Sequence, residues 1–556
     1  MGTERPSSEP GVKRRDLLGA GASLAAAVVA GESCSKPAER GRVGPAQTVS
    51  PGYAEAETAS GRVRGFSDRG VFTYLGLPYG ADTSGENRFQ PPKKPTAWSG
   101  VRDSMQFGPV CPQTMHGWRN YWPDVNAFFY DLNSGRMDED CLRLNVWTPA
   151  INDSSRRPVL LWLHESGFFG GSGHELKGIH GRNLSERGDV VVITINHRLN
   201  AFGFLNLAAY GEQYATSVNS GMLDVVAALE WVRDNISNFG GDPSNVTVFG
   251  QSGGGAKVNH LMAMPSAKGL FHKAVAQSPI PLITFKYSIE EAAAFAEAVV
   301  RRLGLTRSNI GRIHELSDQE ILSAFGSALE GDRNAHIGPA VDGTVVAESP
   351  FYSAAPALSA GIPLMVGTTV FDRVPILDPA GEGLTEAELV ELVKEMHGER
   401  ADRILQVVRA TFPKGKPVDL WQQIRLILPR SRDAAISQAA LKTEQNAGAA
   451  YLYQFAWETP VFDRMPRAFH GSEVAFVFDN TDRCERMTGG VPEAQELAAR
   501  VSDAWIQFAR TGNPNHPGLP EWPAFTADLE PTMVFDSHCE VRFAYDRDAR
   551  NALKQG

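Results

Sequence analysis

No stretch of this sequence is apolar for long enough to cross a bilayer. The longest Ala-rich run, from Leu17 to Ala30, falls short of the roughly 20 residues a spanning helix needs. Basic residues are not in excess either, with 54 Lys and Arg against 64 Asp and Glu for a net charge of -10 and no basic stripe. That balance argues against nucleic acid as a partner. Cysteine is scarce, five in 556 residues, which excludes a small disulfide scaffold. No internal repeat is visible, so a solenoid or propeller is not expected. What remains is 42% hydrophobic content, enough for one or more large cores in a globular protein.

The N-terminus reads as an address. In "VKRRDLLGAGASLAAAVVAGES", Arg14 and Arg15 precede the Ala-rich run and small residues follow it, the plan of a twin-arginine export signal removed near Ala30. Residues 31–52 read as a flexible linker and 53–556 as the body of the protein, whose length leaves the domain count open. The expected location is therefore periplasmic or extracellular; a lipid anchor on Cys34 is the lesser alternative. In an exported chain Cys111 and Cys141 could pair, as could Cys484 and Cys539, or all four could stay reduced.

Downstream of Pro158, short apolar runs alternate with helical stretches. "PVLLWLH" and "DVVVITIN" read as buried strands, and "GMLDVVAALEWVRDNISNFGG" as a helix closed by Gly240 and Gly241. "SNVTVFG" returns to strand, and "GGGAKVNHLMAM" has the spacing of a helix that begins at Ser252. That rhythm belongs to a parallel α/β sheet.

In "GQSGG", Gly250, Ser252 and Gly254 satisfy Gly-x-Ser-x-Gly in the strand–turn–helix setting that gives the pattern meaning. A phosphate loop would end in Gly-Lys-Ser/Thr, and no hydroxyl residue follows Lys257. A serine nucleophile needs a neutral imidazole oriented by a carboxylate. Thirteen histidines are present, and periodicity does not choose among them.

The choice comes from a resemblance. "GRVRGF", "DEDCLRLNVWTP", "NFGGDPSNVTVFGQSGGG", "PLMVGTTVFDR" and "AFHGSEVAFVFDN" occur in the order found in type-B carboxylesterases, the family of cholinesterases and bile-salt-activated lipases. The resemblance runs from about Gly61 to Phe525 and implies an α/β-hydrolase fold, a mostly parallel sheet flanked by helices. It implies a serine hydrolase that cleaves small carboxylic esters through an acyl-enzyme, with no metal and no organic cofactor. Ser252 takes the place of the nucleophile, His470 that of the general base, and Asp372 that of the acid, usually Glu in the family; Asp378 is the fallback. Cleavage of an amide or carbamate is the alternative, and a catalytically silent binding protein a remoter one.

The same resemblance implies a disulfide between Cys111 and Cys141 that closes the loop "HGWRNYWPDVNAFFYDL". From that loop Trp118 and Trp122, with Tyr121, Phe128, Phe129 and Tyr130, could line the approach to the site or simply pack beneath the loop. Two departures stand out. "HESGF", His164 to Phe168, replaces the family's His-Gly-Gly-Gly-Phe, and Gln251 replaces the usual Glu beside the nucleophile. The oxyanion donors expected by resemblance are the N–H groups of Gly253, Gly167 and Ser166, with Glu165, Phe168 and Gln251 as substrate-pocket candidates. A non-glycine residue at 166 held at positive φ would cost about 1 kcal/mol or more.

Overall fold

In a computed structural model, the residues described are 53–114, 128–129, 135–279, 288–332, 335, 337–373 and 382–554, together with the short strand Gln47–Thr48. The export signal, most of the linker, Cys34, Trp118, Tyr121, Trp122, Tyr130 and Asp378 lie outside them.

Seven parallel strands form the centre of a larger sheet. In spatial order they are Val191–Ile195, Arg157–Leu163, Gly241–Gln251, Lys273–Gln277, Leu364–Thr369, Ala450–Phe455 and Pro531–Phe535. Antiparallel strands extend both edges: Arg143–Thr148, Val71–Pro78, Phe66–Asp68 and Gln47–Thr48 on one side, Glu540–Phe543 on the other. A separate small sheet pairs Glu55–Thr58, Gly61–Arg64 and Val101–Asp103.

The apolar runs of the central strands reflect burial on both faces, as parallel sheets require. Val159, Leu161 and Leu163 enter one core together with Val246 and Val248, which helix Ser220–Asn235 also fills. Their alternates Leu160, Trp162 and Phe249 enter a second core on the opposite face, under helix Pro492–Thr511. Helix Ser220–Asn235 runs on as a short 3-10 turn to Phe239 and stops at Gly240, whose φ of 73° is left-handed. The expected strand–helix–strand–turn–helix order is thus observed, and it brings the carboxyl ends of the parallel strands, where loops can hold chemistry, to one edge.

Candidate active site

Strand Gly241–Gln251 ends one residue before Ser252, and helix Gly253–Met262 begins one residue after it. Ser252 occupies φ 54°, ψ -115°, a conformation that side-chain-bearing residues avoid. The turn is locked by contact. A Cβ on Gly254 would stand 2.0 Å from the Leu163 carbonyl oxygen and one on Gly250 2.6 Å from it, so only glycines admit the neighbouring strand end this closely. The Ser252 N–H donates to the Gln277 carbonyl at 2.8 Å, which fixes the elbow to the next strand. The serine therefore sits at the N-terminus of a fully buried helix, where negative charge is favoured.

Two other loops zip together to bring His470 and Asp372 into contact. Beyond strand Leu364–Thr369, the Phe371 N–H donates to the Ala468 carbonyl, and the His470 N–H donates to the Arg373 carbonyl at 2.9 Å. Between these rungs His470 Nδ1 lies 2.5 Å from Asp372 Oδ1. Asp372 is buried, which by itself raises its pKa. The charge and hydrogen bond of His470, helped by the Ser431 hydroxyl, outweigh that and hold the carboxylate below its ordinary value. Ser431 reaches it from a π-helical stretch, Gln423–Arg432. For His470 burial lowers the pKa, but Asp372 and then Glu473 and Glu165 more than restore it, leaving the imidazole raised. With Nδ1 committed to Asp372, Nε2 is the ring nitrogen left to take a proton. The Gln251 side-chain amide lies 3.2 Å from it.

The segment after Leu163 faces the start of the elbow helix. Ser166 has φ 77° and Gly167 φ 62°, both left-handed, so the serine at 166 does carry the strain anticipated for it. A Cβ on Gly253 would fall 2.3 Å from the Gly167 nitrogen, so the backbones of these two residues touch. Glu165 is half-buried, with Oε2 shut from water and without a partner. Burial pushes its carboxyl up to about 7, against the opposing pull of its own backbone N–H, Lys257 and His470. Glu473, fully buried three residues beyond the histidine, is likewise pushed up to about 7 by burial.

Three expectations need correction or relocation. Phe168 is buried in the core, edge-on to Phe204 at 5.1 Å. Its neighbour Phe169 is the exposed aromatic, 45% accessible, with its ring edge 3.4 Å from where a Gly167 Cβ would stand. Cys111 and Cys141 meet but as free, buried thiols rather than a disulfide. Cys111 Sγ accepts from the Leu199 N–H at 3.3 Å, and the hydrogen bond with Cys111, followed by burial, pushes the Cys141 thiol well up, the inert form. Cys539 is also a free thiol. Of the aromatic loop, Phe129 is buried against Phe469, next to His470, while Phe128 is exposed.

Lys257, Glu175, Glu473 and Ser431 were not singled out from sequence as part of this site. Among the described residues no cluster of His, Cys, Asp and Glu could hold a metal ion, and no helix is long and apolar enough to span a membrane.

Residues 53–552 match the carboxylesterase family. The para-nitrobenzyl esterase of Bacillus subtilis (strain 168) is 33% identical over 89% of this chain and 97% of its own length. The phenmedipham hydrolase of Pseudarthrobacter oxydans is 30% identical over 87% and 96%. Among solved structures, an esterase from anaerobic Clostridium hathewayi that can hydrolyze aliphatic aromatic polyesters superposes with a TM-score of 0.79. It is 34% identical, covering 90% of this chain and 98% of its own. A carboxylesterase of Geobacillus stearothermophilus gives 0.74 at 35% identity, covering 90% and 100%.

Proposed function

The chain belongs to the carboxylesterase family, has the α/β-hydrolase fold and is a carboxylic ester hydrolase; from that premise we propose that it works through a Ser252–His470–Asp372 triad and an acyl-enzyme. The observation that carries the assignment is the 2.5 Å contact between His470 Nδ1 and Asp372 Oδ1, formed between two loops that deliver the imidazole to Gln251 and hence to the elbow. His470 Nε2 takes the Ser252 proton as the serine oxygen attacks the ester carbonyl. The oxyanion that forms is held by the N–H groups of Gly253 and Gly167, with Ser166 as a third donor. His470 then returns the proton to the leaving alcohol. In the second half it activates a water that releases the acid.

A fluorophosphonate probe tests this directly. It should label Ser252 in the native enzyme and leave Ser252→Ala unlabelled, while His470→Ala slows both labelling and ester turnover by about 10³-fold or more. Labelling at another serine would overturn the assignment. Running matched amides and carbamates beside the ester panel separates those chemistries from ester cleavage.

The export reading belongs with this proposal: residues 1–30 as a twin-arginine signal, 31–52 as linker and 53–556 as the catalytic domain. Changing Arg14 and Arg15 together to Lys should retain the protein in the cytoplasm of a suitable bacterial host. Unchanged export would refute it.

A further inference from the structure

Behind the His164–Phe168 segment lies a lysine that the mechanism does not use. Lys257 is fully buried on the first turns of the elbow helix. Its ammonium donates to the His164 carbonyl at 2.9 Å and stands 5.5 Å from the centre of the Phe168 ring. His164 and Phe168 are the two ends of the segment that carries Gly167. One side chain, anchored on the helix that starts at Gly253, therefore grips the opposing loop at both ends.

Glu175 is buried, and its Oε1 borders the same small space as the His164 ring: a Cβ on Gly171 would stand 2.8 Å from that oxygen and 2.5 Å from His164 Nδ1. Burial lowers the Lys257 pKa to about 7 against the opposing pull of Glu175 and then Glu165, and burial followed by the Glu165 charge pushes the Glu175 carboxyl well up. The remaining titratable neighbours are imidazoles. His164 and His197 stack at 4.9 Å and are held neutral by burial and then, chiefly, by the Lys257 charge, and His174 is lowered by burial to about 4. Cation and carboxylates thus have no alternative local partners among the histidines. Glu175 Oε1, Glu165 Oε2 and the Nε2 atoms of His164 and His197 have no hydrogen-bond partner, while His164 Nδ1 contacts the Glu165 carbonyl at 3.0 Å and His197 Nδ1 the Arg198 carbonyl at 2.8 Å.

We propose that Lys257 is a positioning residue for ester cleavage: tied to His164 and seated under Phe168, it keeps the Gly167 N–H in register with that of Gly253. The role rests on the reading of Gly167 and Gly253 as oxyanion donors. It explains how a loop with Glu165 and Ser166 in place of two glycines keeps a working backbone: the tether holds from behind a conformation that Ser166 at positive φ resists.

Lys257→Met removes the tether and the charge at nearly constant volume. Because the oxyanion exists only after attack, kcat on p-nitrophenyl butyrate should fall about 10- to 100-fold with KM nearly unchanged. Inhibition by an alkyl trifluoromethyl ketone should weaken in parallel. This ketone adds the Ser252 oxygen to its carbonyl and passes the proton to His470, leaving an oxyanion in the same place.

Lys257→Met leaves Glu175 without a cation and could fail to fold, so Lys257→Met/Glu175→Gln, which removes both titratable groups, is the second variant. It should fold and keep the kcat and ketone losses, since the His164 tether is still cut. A folded double variant with native kcat would reduce Lys257 to a counter-charge and overturn the proposal. So would losses confined to KM, an unchanged ketone affinity, or failure of both variants to fold. Turnover that survives in Ser252→Ala would break the underlying mechanism instead, and so is distinguishable.

Discussion

Gly253→Ala tests the contact between the elbow and the oxyanion loop. The added Cβ would lie 2.3 Å from the Gly167 nitrogen, 2.4 Å from its Cα and 2.5 Å from its oxygen, where ordinary contact begins at 3.4 Å. One side must retreat by about 1 Å, a displacement that can cost on the order of 100-fold in rate. The helix side is fixed, because Gly254 abuts the Leu163 carbonyl and the Ser252 N–H is bonded to Gln277. The loop side yields, and with it the Gly167 N–H leaves hydrogen-bonding range of the oxyanion. Loss of one such donor costs about 2.7–4 kcal/mol, or about 10²- to 10³-fold in kcat. Steady-state kinetics on p-nitrophenyl butyrate, normalised by active-site titration, should therefore show kcat down by about 100-fold with KM little changed. Adding Ser166→Gly, which frees the strained position beside Gly167, should recover roughly tenfold of that loss. A Gly253→Ala enzyme with kcat within about threefold of native would refute both the donor role of Gly167 and the tightness of the contact.

Asp372→Asn should lower kcat about 10³- to 10⁴-fold while the thermal unfolding midpoint stays close to native. Asp372 raises the His470 pKa and only the neutral imidazole accepts the serine proton, so kcat/KM falls as pH drops through that pKa; the residual activity of the variant should fall at lower pH than native. Gln251→Glu places a carboxylate 3.2 Å from His470 Nε2 and should move the same acid limb to higher pH, read from a kcat/KM profile. Glu165→Gln should weaken discrimination against anionic esters above pH 7, where the native carboxylate is mostly ionised, measured as kcat/KM on matched neutral, anionic and cationic esters. Equal charge preference in both proteins would show that Glu165 does not face the substrate.

The elbow was legible because its determinants are local: an apolar run buried on both faces, glycines at fixed offsets, and the start of a small-residue helix. The base and acid were not legible from pattern. His470 and Asp372 are 98 residues apart, and His470 is 219 from Gln251; only the resemblance to a family bridged those gaps. Where it failed, the cause was conformational or environmental. Phe168 packs into the core behind two successive left-handed residues, and φ signs are not written in a Glu-Ser-Gly triplet. Lys257 was noticed only as a failed phosphate loop, because lysines are usually exposed and its burial depends on Glu175 and Glu165 arriving from elsewhere. The Cys111–Cys141 proximity followed the family, whereas the bond did not.

The close approach of Gly250 and Gly254 to the Leu163 carbonyl bears on engineering. Leu163 is the last residue of its strand, and the His164–Phe168 segment begins at the next position, so the Ser252 turn and that segment are cast as one piece. A chimera that imports a His-Gly-Gly-Gly-Phe segment from a relative without the matching elbow would inherit the donor loop of one enzyme and the seat of another. Segments 163–169 and 250–257 are the unit of exchange, and libraries aimed at new ester substrates should vary them together.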